Sequence, residues 1–212
     1  MRGSTRLEMA THCVIVFAVK SLQKASIKIA PLTAARWREL EELFGERGAC
    51  GGCWCMYWRF PRSKWNRQKG AGNKRAFRAL VRRGDEPGLI AYVNGKPAAW
   101  CALAPRESYP ALTNSRVLKP VDEQRVWSVV CFFVARPYRR AGLTAHLLRA
   151  AVRHAKKHGA RIVEGYPVDP RGGAMPDAFA WTGFPAPFRR AGFREVERRS
   201  KTRPIFRILT GR

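Results

Sequence analysis

Several groups of residues in this chain have types and spacings suited to chemistry. Arg139-x-x-Gly142-x-Thr144 follows an apolar run and opens an amphipathic stretch. Backbone N–H groups at a helix N-terminus lack intrahelical partners and point outward, and the helix dipole favours an anion there. A glycine at such a point lets a phosphate come close to the backbone, Arg139 and Arg140 add charge-assisted donors, and the Thr144 hydroxyl adds another. The plainer reading is a strand-to-helix turn with solvated arginines. Glu164 and Tyr166 stand two apart in a strand-like run, so both side chains share one face. Glu107, in Pro105-Arg-Glu-Ser-Tyr109, is a second carboxylate.

Cys50-x-x-Cys53-x-Cys55 has the look of half a metal knuckle. Zinc takes four ligands, usually from two paired clusters, and no second Cys or Cys/His pair at such spacing follows. His154 and His158 are four apart on a helical stretch whose charged neighbours read as a solvated face, so no metal is expected. Trp54, Met56, Tyr57 and Trp58 around these thiols can instead wall an apolar acceptor pocket, with Trp54, Tyr57 and Trp58 as candidate substrate-binding residues alongside Glu107. Equally, they can fill core beneath a loop.

The elements that must position these residues are legible from periodicity. Ile27–Ala30 reads as a strand, and Thr33 caps a helix from Ala34 to about Phe44. After the aromatic stretch and a basic loop, Asn73 opens a helix to Arg83. Leu89–Val93 and Pro97–Leu103 flank Asn94-Gly95, a hairpin signal because both turn residues must take positive φ. Trp127–Val134 is almost continuously apolar, as expected of a strand covered on both faces. Gly142–His158 is an amphipathic helix ended by Gly159; then come a strand over Arg161–Val168, a helix over about Pro176–Ala191 and a closing hairpin over Phe193–Leu209.

The 212 residues suit one α/β domain, residues 27–212, preceded by an arm over 1–26 that is disordered or adds a strand. At 46% hydrophobic and 11% aromatic, the chain is far from the composition of disorder. No apolar run approaches the ~18 residues of a membrane span, so an integral membrane protein is excluded. Six cysteines without a scaffold spacing read as free thiols of a reducing cytoplasm. With 41 Lys and Arg against 15 Asp and Glu, the formal charge of +26 predicts an anionic partner.

Val134 followed by Arg139-x-x-Gly142-x-Thr144 resembles the acetyl-coenzyme A signature of the GNAT superfamily of N-acetyltransferases, Gln/Arg-x-x-Gly-x-Gly/Ala, with Thr144 a departure. The order of elements from about Ile27 to Leu209, including Arg190-Ala-Gly-Phe193 before a final strand, follows that family. The resemblance implies a mixed, mostly antiparallel sheet splayed into a V with helices on both faces. It implies acetyl-CoA as cosubstrate, with pantetheine pairing to the strand end at Phe133 and Val134 and the pyrophosphate on the N–H groups of Arg140, Ala141, Gly142, Leu143 and Thr144. It also implies direct attack by an amine on the thioester. Two positions depart from the family pattern: Phe188 stands where relatives carry a tyrosine acid, and Ser128 where some carry a glutamate base. Glu164 and Tyr166, on the strand expected to splay beside the acceptor, are therefore the catalytic candidates, against plain readings as an ion pair and a sheet aromatic.

Two other functions compete with an N-acetyltransferase acting on a small-molecule or peptide amine. A nucleic-acid-binding protein is suggested by the charge and by Trp58-Arg-Phe-Pro-Arg-Ser-Lys-Trp65, although the basic residues are spread along the chain. A GNAT-like protein that binds acyl-CoA without catalysis is suggested by Phe188 and Ser128.

Overall fold

A computed structural model describes residues 25–171, 173, 175 and 179–211; the expected arm over 1–26 lies almost wholly outside the described residues. They form one open seven-stranded sheet in the order β1-β2-β3-β4-β5-β7-β6. The strands are β1 (Ile27–Pro31), β2 (Gly88–Val93), β3 (Lys96–Pro105), β4 (Trp127–Val134), β5 (Ile162–Gly165), β6 (Arg194–Arg198) and β7 (Pro204–Leu209). The β4–β5 pair alone is parallel; the remaining pairs are antiparallel.

Asn94 and Gly95 take φ of 50° and 80° and close the β2–β3 hairpin as their types require. The sheet carries helices on both faces. One face packs against α1 (Trp37–Phe44) and α3 (Ala71–Arg82), burying Trp37, Leu40, Phe44, Phe77, Ile90 and Trp100. The other packs against α5 (Leu143–Lys157) and α6 (Pro185–Arg190), burying Leu103, Val129, Leu147, Leu148, Ala151 and Phe188. Between the first two helices lies α2 (Arg62–Arg67), and after β3 a single turn, α4 (Pro110–Thr113). Covered on both faces, β4 buries Ser128, Val129, Val130 and Phe132, whereas Trp127, Cys131, Phe133 and Val134 are half-buried, so the apolar run is less fully covered than its sequence anticipates.

Some boundaries differ from the sequence reading. The basic loop contains α2, and α3 starts at Ala71, because Asn73 is buried inside it with Nδ2 donating to the carbonyls of Gly52 and Trp65. Thr33 makes no side-chain cap; its hydroxyl accepts from Arg36 instead. β5 stops at Gly165 rather than Val168, and of the expected helix over 176–191 only Pro185–Arg190 is helical among the described residues, since Gly183 at φ 82° precedes it.

That early stop matters for the site. Only Trp127, Ser128 and Val129 of β4 pair with Val163, Glu164 and Gly165 of β5; beyond them the parallel strands part. Gly165 stands at the parting point, and a Cβ there would lie 2.2 Å from the Phe188 ring. Gly165→Ala is expected to lower stability by about 2 kcal/mol through overpacking. Urea unfolding of Gly165→Ala alone and in a Phe188→Leu background checks this: the loss should shrink in the smaller background, and equal losses would contradict the packing account.

Candidate active site

The parting of β4 from β5 leaves one edge of β4 without a neighbouring strand. Ala135 N donates to Ala98 O, towards β3, whereas Phe132 N donates to Trp181 O on the opposite side. By the two-residue alternation of a strand, the backbone polar groups of Phe133 face β3 and those of Phe132 and Val134 face the splay. The ring of Phe133 packs edge-on against Phe44 at 5.7 Å. β4 also carries an irregularity: its register against β3 shifts between Ala102 and Leu103, opposite Val130. The Val130 carbonyl is taken by the Trp58 indole N–H at 3.2 Å.

Beyond Val134 the chain makes a 3-10 turn over Arg136–Tyr138, passes Arg140 at φ 63° and reaches Gly142 at φ 83°, which caps α5. A left-handed residue there lets the chain turn from strand direction into the helix within a few residues. No atom lies within 4 Å of where a Gly142 Cβ would be, so the space above the helix end is open. Arg139 and Arg140 are exposed, Ala141 and Thr144 half-buried, and Leu143 is buried in the core, anchoring the first turn. Arg139 Nε donates to Val134 O at 3.2 Å, tying the loop to the strand end. Helix N-terminus, two arginines and open space thus stand together at the mouth of the splay, the arrangement that favours a phosphate.

At the vertex, one polar residue from each of several adjacent strands meets on the α1/α3 face. Ser128, Glu164 and Arg207 are successive register partners across β4, β5 and β7, and Arg106 follows the end of β3. Glu164 is fully buried. Its Oε1 accepts from Arg106 Nη1 at 3.0 Å and from the Tyr166 hydroxyl at 2.6 Å, and its Oε2 accepts from Arg207 Nε at 2.6 Å. Arg106 also donates to the Tyr166 oxygen at 2.6 Å and to the Leu118 carbonyl at 2.5 Å. The Ser128 hydroxyl lies 2.8 Å from the Tyr166 oxygen. Burial, then the Glu164 charge, holds the Tyr166 phenol well above its ordinary pKa, so it stays protonated and is a donor at neutral pH. The Glu164 oxygens are all engaged, so the carboxylate has the surroundings of an ion pair and not those of a base open to water.

The structure thus brings Glu164 and Tyr166 onto one face beside Ser128, at the end of the splay away from Gly142. Tyr57, half-buried, and Trp58 lie close by, packed with Trp181 at ring-centroid distances of 5.0 and 5.7 Å. Two candidate pocket residues are not brought there. Trp54 is core, stacked on Trp37 at 6.0 Å and closed over by Gly48, where a Cβ would meet its ring at 2.2 Å. Glu107 is exposed and lines an open cleft at the other end of β4, with Trp127, His158 and Arg161, because the neighbouring Arg106 takes the inward position. Sequence reasoning passed over Arg106, Arg207 and Trp181. A signal existed for the first two: Ala102, Ala104, Arg106 and Ile205, Arg207 continue a two-residue alternation onto the same face.

Among the described residues, Cys50, Cys53 and Cys55 do not bring their thiols together as a group of three. Cys50 is exposed, whereas Cys55, Cys101 and Cys131 sit in or against the core, Cys55 accepting from the Trp100 indole. Burial pushes the Cys53 thiol up to about 11, which makes it unreactive at neutral pH. Within the Trp58–Trp65 segment the chain's own cations lie over Trp65 (Arg62 and Lys69) and Phe60 (Lys64), and Arg62 also lies over the adjoining Tyr57. Phe188, where a tyrosine acid was looked for, is fully buried among Phe132, Phe193 and Phe206. His154, read from sequence as solvated, is buried under Trp127.

Glu164→Gln is expected to lower stability by about 3 kcal/mol or more, because it leaves two guanidiniums facing a neutral group in a buried site. Denaturant unfolding measures this, and a loss below about 1 kcal/mol would mean the site is solvated like a surface pair.

Comparison with known proteins agrees with this geometry. The model of the Acetyltransferase (GNAT) family matches residues 52–170. Among solved structures, an acetyltransferase of the GNAT family from Listeria monocytogenes superposes with a TM-score of 0.52 at 7% identity, covering 86% of this chain and 94% of that one. A GNAT-family acetyltransferase from Streptococcus agalactiae gives 0.52 at 12% identity, covering 88% and 96%. An uncharacterized protein from Bacillus halodurans gives 0.50 at 14% identity, covering 89% and 86%. At these identities the likeness is one of fold. Comparison with curated proteins finds no match. The family match spans more than half the chain, including the splayed β4–β5 pair and the Gly142 turn, and the chain belongs to the Acetyltransferase (GNAT) family.

Proposed function

We propose that this protein transfers an acetyl group from acetyl-CoA to a primary amine, of a small molecule or a peptide, by direct attack in a ternary complex. The observation that carries this reading is that β4 joins two ends: the open, arginine-flanked N-terminus of α5, where the Val134 backbone faces the splay, and the buried polar group at Ser128, Glu164 and Tyr166, with Trp181 and Trp58 bonded to the strand edge between them. An anionic head suits the first end, an extended amide-bearing arm suits a strand edge, and a reacting carbonyl suits the second end.

In this reading Arg139, Arg140, Ala141, Gly142, Leu143 and Thr144 hold the pyrophosphate, with Arg139 also bracing the loop through the Val134 carbonyl. Val134 and Phe133 flank the arm, and Val134 is the strand position that pairs with it, since its backbone faces the splay. Trp181 and Trp58 already take the Phe132 N–H and the Val130 carbonyl, so the pairing edge ends at Val134, well short of the vertex. Tyr57 and Trp58, with Trp181, wall the acceptor side.

The amine nitrogen forms a bond to the thioester carbonyl, the C–S bond breaks, and the coenzyme leaves as a thiolate. The nitrogen of the tetrahedral intermediate carries a positive charge, and its proton passes to water as the intermediate collapses to the amide. For the Tyr166 phenol, held protonated, to assist, its O–H turns from Glu164 Oε1 to the departing sulfur as a hydrogen-bond donor, and the thiolate takes its proton from water. Glu164 acts at one remove: it fixes Tyr166, Arg106 and Arg207 and is a positioning residue. Ser128 completes the hydrogen bonds to the phenol. Because the thioester is already activated, positioning supplies much of the acceleration.

The test is release of free thiol from acetyl-CoA in the presence of a panel of amines, including peptides with free N-termini. Turnover with at least one amine is expected, falling about tenfold or more in Tyr166→Phe while acetyl-CoA affinity stays unchanged. Binding of acetyl-CoA without thiol release for every amine would leave a non-catalytic acyl-CoA binder. Unchanged turnover in Tyr166→Phe would remove the phenol from the mechanism.

A further inference from the structure

At the opposite end of β4 from the Gly142 loop, three side chains converge that the acetyl-transfer reading does not use. His154 and His158 lie four apart on α5, so both project from one side of its last turns. Glu86, just before β2, reaches up to them from across the sheet edge. Its Oε2 lies 3.5 Å from His154 Nε2 and 3.7 Å from His158 Nε2, and the three donor atoms all fall within 4.8 Å of one another.

As a purely protein contact this arrangement is poorly satisfied. The two ring nitrogens share a single carboxylate oxygen at distances too long for good hydrogen bonds. His154 is buried, with only 9% of its side chain exposed, and its Nε2 has no hydrogen-bond partner among the described residues. An orphaned buried ring nitrogen bears its desolvation cost with no hydrogen bond in return. The rings are otherwise set as ligands are. Trp127 packs against both, at 5.9 and 5.3 Å, and fixes their planes. His158 Nδ1 lies 2.9 Å from the His154 carbonyl, so donation there places the proton on Nδ1 and leaves the Nε2 lone pair aimed at Glu86.

We infer that Glu86, His154 and His158 bind a divalent transition-metal cation, zinc above all. Tetrahedral zinc at about 2.0–2.2 Å from nitrogen and oxygen donors sets its ligands about 3.3 Å apart, so the two histidine–Glu86 separations need to close by a few tenths of an ångström, with the donor atoms all starting within 4.8 Å of one another. Two imidazoles and one carboxylate leave a fourth position. His158, at 44% exposed, turns that position towards the open cleft lined by Trp127, Arg125 and Arg161. The C-terminal end of α5 presents its carbonyl dipoles to the cation, which favours positive charge there. Bound metal would clamp the end of α5 to the entry of β2 independently of the acetyl-transfer site.

The test is titration of the metal-stripped full-length protein with zinc chloride, followed by calorimetry, and with cobalt chloride, followed by absorption. One equivalent of zinc is expected to bind. Glu86→Gln and His158→Ala, both at partly exposed positions that should fold normally, are each expected to weaken binding at least about tenfold. Cobalt should give ligand-field bands without a thiolate charge-transfer band, and Cys50→Ser with Cys53→Ser should change nothing. Zinc affinity unchanged in Glu86→Gln and His158→Ala, affinity lost in the cysteine variants, or no saturable binding would each overturn the assignment.

Discussion

The structure depends on a buried carboxylate held between two guanidiniums. Glu164 receives Arg106 from the end of β3 and Arg207 from β7, and through Tyr166 it reaches Ser128 on β4. Taking such charges out of water is costly, and the cost is met only when each partner is in place. Four chain segments are therefore locked to one another at one spot. Arg106 adds a fifth by donating to the Leu118 carbonyl, which holds the long connection between β3 and β4 against the sheet. Asp122, its pKa lowered by its hydrogen bond to Arg207, closes the same connection from outside.

The consequence of that lock is the cleft. β4 and β5 are pinned together at the Ser128–Glu164 register and nowhere further along, so the right-handed twist of the sheet carries them apart. Gly165 and Phe188 fill the outside of the vertex, and the Trp58 indole satisfies the Val130 carbonyl where β4 is irregular. What remains is a strand edge that runs from a polar, buried end to the capped start of α5. In the proposed reading the capped start of α5 takes the anion, the Val134 end of the strand takes the extended arm, and the polar end takes the reacting carbonyl.

Much of this was legible in the sequence because it rests on local rules. The continuous apolar run at Trp127–Val134, the Asn94-Gly95 turn and the Arg139-x-x-Gly142 turn into a helix each state their structure within a dozen residues. The spacing of Glu164 and Tyr166 anticipates their meeting, and although Tyr166 stands one residue past the end of β5 its hydroxyl still reaches the Glu164 carboxylate. What sequence could not tell was which partners arrive from afar. Trp54 and Tyr57 are three residues apart and of similar type, yet one is core and the other lines the splay, and only the positive φ at Trp54 and Cys55 separates them. Trp181 reaches β4 across fifty residues of chain. His154 reads as one member of a charged helix face, and its burial comes from Trp127 on a different element.

The central claim is that acetyl-CoA lies with its pyrophosphate on the N-terminus of α5. Calorimetric titration of acetyl-CoA into the wild type and into Gly142→Glu, at an ionic strength high enough to screen unspecific attraction by a chain of charge +26, tests it most directly. Saturable one-to-one binding by the wild type, lost when a carboxylate is placed in the open space above Gly142, is the predicted result. Equal affinity in the two proteins, or no binding in either, would contradict it.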